Sequence, residues 1–272
     1  MHVPARIVLA MHVETTAPAI DEPLRTATRT PRHHDSFFVG FAIAAAVTVF
    51  VGFARTYYLN RLFPTPPFPS LFHVHGVLFT AWMLLLLIQV ALVASRRTAL
   101  HRRVGAIGRL LVAPMLVTGV LVAIAAARGQ APISAAVKRG DLTMVDAGFP
   151  PLQAMVIPLA TLLLFTMFAA AGLIYRRHPD THKRFMALAT IAMLPPAIGR
   201  ATITLFGVAN PALFIGITGL FVVAIVIYDH KSRGRVHPVT VWGGLALMLS
   251  FPGRLALGKT ALWMSFAAWL IN

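Results

Sequence analysis

The 272-residue sequence contains no cysteine. That excludes disulfides, thiolate metal centres, iron–sulfur clusters and thioether-linked haem, so any metal or haem iron would fall to histidine, methionine or carboxylate. Negative charge is scarce as well: 8 Asp and Glu stand against 24 Lys and Arg, for a net charge of +16. Only 12% of the residues are charged, where a soluble domain carries roughly one quarter. With 58% of the residues hydrophobic, the solvent for much of the surface is lipid. The few acids are also kept out of the apolar runs. Glu14, Asp21, Glu22 and Asp35 precede the first run, Asp141 and Asp146 sit in a polar loop, and Asp180 and Asp229 lie at run edges. An intramembrane carboxylate is the usual coupling group of proton- or sodium-driven transporters. Its absence counts against that class and leaves histidine as the side chain that titrates near neutral pH.

What is present is a series of long apolar runs, each close to the ~20 residues a bilayer crossing needs. Residues 1–35 mix Pro, Thr, Arg and acids without a period, which predicts a disordered cytoplasmic tail. Residues 36–272 then form a transmembrane helical bundle. Spans are expected at about 36–58, 71–95, 104–127, 151–175, 184–208 and 211–228, with a seventh from about 239. Arg55, Tyr57 and Tyr58 close the first span as an interfacial anchor. The small residues Gly105, Gly108 and Gly119 suit close helix contact. Pro195-Pro196 interrupts the fifth span, and Pro252-Gly253-Arg254 predicts a break in the seventh. Residues 259–271 are too short to cross again and read as a continuation or an interfacial helix.

The basic residues come in bursts between the runs, the pattern of a membrane topology and not of a nucleic-acid-binding face. The tail holds Arg6, Arg25, Arg29 and Arg32. The second connection adds Arg96, Arg97, Arg102, Arg103 and Arg109, the fourth Arg176, Arg177, Lys183 and Arg184, and the sixth Lys231, Arg233 and Arg235. These sixteen of the 24 basic residues place the N-terminus in the cytoplasm and seven spans across the membrane. Alanine- and arginine-rich, lysine-poor usage points to a bacterial cytoplasmic membrane.

Three features carry possible chemistry. In the second span His75, Trp82, Gln89 and Arg96 recur every seven residues, drifting only about 20° per step around a helix. Such a seam turns to the bundle interior, as a row of interhelical hydrogen bonds or as the wall of a ligand site. His73 and His75 point about 200° apart on a helix, so they do not share one ion. No other histidine lies at their end of the bundle. Secondly, LHRRVG, THKRFM and RVHPVT place His101, His182 and His237 at three span starts on one face. Three histidines there are a possible metal site, and a pair could ligate a haem; the plainer reading is that they bond helix ends or head groups. Thirdly, Arg200 in LPPAIGR and Arg254 in SFPGR each lie about 24 Å into their spans and follow helix-breaking prolines. Interrupted helices free backbone groups to meet a ligand. Arginines without a carboxylate in their own span invite an anion, or snorkel to head groups.

HVHG opening one span, LHRRVG the next, and HKRFM with a downstream IGR together resemble a family of bacterial multi-pass membrane proteins built on a domain of unknown function. The resemblance covers most of residues 36–258 and implies topology without naming a reaction. More distantly, histidines near both faces are similar to those of di-haem membrane cytochromes. The expectation is an all-α integral membrane protein of about seven helices. A polar site made by spans two, five and seven, with His75, Trp82, Gln89, Arg200 and Arg254, would bind an anionic or redox-active small molecule, b-type haem or quinone. The alternatives are a non-catalytic membrane scaffold and a histidine-dependent permease.

Overall fold

A computed structural model describes residues 32–63, 68–129, 150–206 and 211–272. The expected tail, apart from its last four residues, and the loop carrying Asp141 and Asp146 lie outside the described residues. Among the described residues there is no β-strand. The first helix, α1, is Arg32–Phe53 and runs without interruption into a π-helical turn, Ala54–Tyr58. There follow α2 (Ser70–Ala94), α3 (Thr98–Ala127), the single turn α4 (Pro151–Ala154), α5 (Val156–Ile174), α6 (Pro179–Met193), α7 (Pro195–Phe206), α8 (Pro211–Arg233), α9 (Pro238–Gly258) and α10 (Ala261–Ile271). Six stretches are long and apolar enough to cross a membrane, and α6 with α7 makes a seventh bent by 45°. The bend falls at Leu194, just before the paired prolines. Two adjacent residues without N–H groups cannot continue the α6 ladder, so a new helix starts there.

Large apolar side chains such as Ile43, Val47, Leu84, Ile88 and Leu220 are exposed on the outside of the bundle. In a hydrocarbon solvent that exposure costs nothing, and helices satisfy their own backbone polar groups. The centre is α6. Its residues 187–192 are all buried, as expected of a helix surrounded by others. It packs as a hairpin with α5, and α2 pairs with α3 in the same way. Gly108 faces Leu85, Gly105 faces Gln89, and Gly119 faces Leu162 of α5, so the small residues of α3 sit at its contacts. The tightest crossing is α1 on α7, where Gly52 rests on the backbone of Ala197.

The structure corrects two expectations. α9 passes through Pro252 unbroken to Gly258. A lone proline removes one backbone bond, which a packed membrane helix tolerates; Pro114 is carried inside α3 in the same way. The break comes instead at Lys259 and Thr260, where Thr260 accepts from the Trp263 N–H at 3.2 Å and caps α10. α10 docks by its Trp263 indole, which donates to the Leu152 carbonyl at 2.9 Å. Finally, Arg96 lies beyond the end of α2, exposed and in the left-handed region at φ 61°. The polar seam of α2 therefore stops at Gln89.

Candidate functional site

The π turn creates the first part of the site. One extra residue in the turn re-aims the end of α1, and the Leu59 N–H reaches back to the Ala54 carbonyl at 2.7 Å. Two tyrosines pin this turn to α2. The Tyr58 and Thr80 hydroxyls are 2.9 Å apart, and the Tyr57 hydroxyl donates to the His73 carbonyl at 3.3 Å. The Tyr57 ring occupies the space a side chain at Gly76 would need. The aromatic pair is thus a clasp between the end of α1 and α2.

Around the clasp the polar groups are short of partners. Arg200 of α7 lays its guanidinium over Phe53, 4.7 Å from the ring centre, and gives one nitrogen to the Pro196 carbonyl at 3.1 Å. It lies within Coulombic range of His75, whose ring packs on Phe79 at 4.1 Å. Arg55, in the π turn, covers Phe63. Arg55 Nε, Thr56 Oγ1, His75 Nδ1 and Arg200 Nε are all buried without a hydrogen-bond partner. His73 turns the other way, towards Tyr57 and Phe68, so the HxH pair does not converge.

Trp82 and Arg254 form a second group on α5. Trp82 is buried edge-on against Phe165 with ring centres 5.0 Å apart. Arg254 is 4% exposed and donates to Thr161 Oγ1 and Ser250 Oγ, both at 3.0 Å, while stacking on Phe251. Thr161 and Phe165 are one helical turn apart, so Trp82 and Arg254 meet adjacent turns of one helix face. Trp82 Nε1 and Arg254 Nε have no partner. Among the described residues no hydrogen bond or ion pair joins Arg254 to Arg200 or His75.

Gln89 belongs to the other end of the bundle. It lies beside His101 and over Gly105, and its Oε1 is buried and unpartnered. The His101 and His182 rings approach with centroids 6.3 Å apart. His237 does not join them. Its Nδ1 accepts from the Val239 N–H at 3.1 Å and caps α9. The described residues hold no group of three or more His, Asp or Glu side chains placed for one metal ion.

The feature that sequence reasoning missed lies beside His237. Arg184 of α6 and Asp229 of α8 are both fully buried and ion-paired. Arg184 Nε donates to Asp229 Oδ1 at 2.8 Å, and Nη2 donates to the same oxygen. Oδ2 accepts from Thr240 Oγ1 at 2.6 Å and from the His237 N–H at 3.1 Å. Asp180 gathers Lys183 and Arg233 at 2.8 and 3.0 Å at the rim of this hub. Burial, then the Arg184 and Arg233 cations, hold the His237 imidazole below its ordinary pKa, against the pull of Asp229 and Asp180. The available signal was the scarcity of acids: two aspartates among so many arginines are worth pairing.

Asp180 and Asp229 are thus both occupied at this end, whereas Arg55, Arg200 and Arg254 form no ion pair among the described residues. The chain matches no family model, no curated protein and no solved structure.

Proposed function

We propose that this protein, a multi-pass protein of a bacterial cytoplasmic membrane with its N-terminus inside, binds a small acceptor-bearing ligand between α1, α2 and α7. The ligand class is an anion or a quinone, whose carboxylate, phosphate or carbonyl oxygens accept from Arg200 and His75. One observation carries the reading. Four buried polar atoms, on Arg55, Thr56, His75 and Arg200, have no partner, and no carboxylate offsets the arginines among the described residues. Each orphaned buried donor costs about 1–3 kcal/mol, so a bound oxygen acceptor stabilises the site. The flanking Phe53, Phe63 and Phe79 rings suit an apolar ligand body. Haem iron fits this end poorly, because no second imidazole faces His75 among the described residues.

The test is thermal stabilisation of the purified protein by decylubiquinone, by oleate and by inorganic phosphate. At least one should raise the melting temperature of the native protein, and Arg200→Met and His75→Ala should each remove that shift. No shift with any probe, or shifts that survive both substitutions, would overturn the reading. The scaffold alternative draws on the bonds from Arg254 to Thr161 and Ser250. It predicts that Arg254→Met lowers stability equally with and without a probe.

A further inference from the structure

We infer a second site, independent of the first, at the other end of the bundle: His101 of α3 and His182 of α6 are the two imidazole ligands of one transition-metal centre. With metal–nitrogen bonds of about 2.0–2.1 Å and a ring nitrogen about 1.1 Å from its ring centre, two imidazoles on opposite sides of one ion have centroids about 6.3 Å apart. The observed centroid separation is 6.3 Å, in an edge-on contact with the ring planes at 83°. The first-turn positions of the two histidines, on different helices, bring the rings together across a helix junction and leave the backbone ladders intact.

The hydrogen bonding of each ring fits the role. His182 Nδ1 is 2.7 Å from the Gly172 carbonyl of α5. A carbonyl only accepts, so Nδ1 carries the proton and Nε2 keeps its lone pair. That second bond is how proteins fix the tautomer and aim of a ligating histidine. His101 Nδ1 is buried with no partner. A structural histidine would be expected to satisfy such an atom.

The surroundings narrow the metal. Arg102 is the fixed charge that acts on His101, and no carboxylate completes a set of three around any ion among the described residues. A bare divalent ion would meet repulsion and too few ligands. Two neutral imidazoles suit either Cu⁺ or a haem iron, whose macrocycle supplies the other four nitrogens and whose propionates match arginines. The shared chemistry is a soft or low-charge centre with two histidine ligands.

The experiment has two arms on the full-length protein in detergent. In one, the protein is titrated with haemin and followed by absorption before and after dithionite. In the other, it competes with bathocuproine disulfonate for Cu⁺. The expected result is one equivalent bound in one arm, with a six-coordinate low-spin spectrum if it is haem. His101→Gln and His182→Gln should each weaken binding more than 100-fold. His237→Gln and the surface double variant His178→Gln/His230→Gln should bind as the native protein does. Helical circular dichroism and a single gel-filtration peak certify that the variants fold. Binding in neither arm, or binding that survives His101→Gln and His182→Gln, overturns the site. His75→Ala leaves this binding unchanged, so the two sites stand or fall separately.

Discussion

Arg184 and Asp229, 45 residues apart in sequence, are bonded to each other in the interior with both side chains fully buried. The carboxylate is completed by Thr240 and the His237 N–H, so three helices meet on one aspartate. Attraction at this depth is strong, and so is the cost of removing either partner.

Asp229→Asn and Arg184→Met should therefore each destabilise the bundle by about 3–5 kcal/mol. The double variant Arg184→Met/Asp229→Leu should recover a large part of that loss, because no uncompensated charge remains. Apparent melting temperatures in one detergent decide this. Single variants as stable as the native chain would show that the pair is dispensable.

Acid should loosen the same region through His237. Its neutral ring accepts the Val239 N–H, and burial with Arg184 and Arg233 depresses its pKa. The unfolded chain then binds the proton more readily than the folded one. The stability from this residue is fully present above the ordinary imidazole value of about 6.5 and is lost as pH falls through it and the lower folded value. His237→Asn keeps a capping acceptor without a titrating ring. The difference in melting temperature between native and His237→Asn protein should be flat from pH 8 to 7 and should change below pH 6.

Gly52→Ala should separate α1 from α7. The new methyl would collide with the Ala197 backbone, which cannot swing aside as a side chain can. A loss of about 1–3 kcal/mol is expected, together with weaker ligand stabilisation, because Arg200 lies one turn beyond the contact. Gly40→Ala, in the same helix with nothing within 4 Å, is the control and should be neutral or stabilising. Equal behaviour of the two variants would remove the contact from the account.

Arg96→Gly should stabilise the α2–α3 hairpin by up to about 1 kcal/mol. Arg96 holds φ 61° at the end of α2, a conformation that costs an L-residue more than glycine. Chemical denaturation of the two proteins measures the difference. A destabilised variant would mean that the arginine side chain contributes more than its backbone costs.

The spans were legible because a bilayer demands long apolar runs, and the fifth span betrayed its bend through two consecutive prolines. Pro252 misled because a lone proline between packed membrane helices costs one bond and need not end a helix. The four members of the seam serve four places: His75 within reach of the Arg200 charge, Trp82 on Phe165, Gln89 near His101, and Arg96 in a turn. Periodicity shows which side of a helix is polar, and not which neighbour it meets. Arg184 was hidden by its company, since among Arg176, Arg177 and Lys183 it looked like one more topological charge. The π turn left no trace at all, because a one-residue insertion does not disturb an apolar run.

The joint at Leu194 has a mechanical consequence. α6 is bolted to α8 and α9 through Asp229, and α7 is seated against α1 through Gly52. A straight rod would carry any tilt at Arg200 to Arg184, about 24 Å along the axis. Bent by 45°, the span is two limbs with separate footings. Arg200 and the Arg184–Asp229 pair are therefore positioned by different neighbours, although one span carries both arginines.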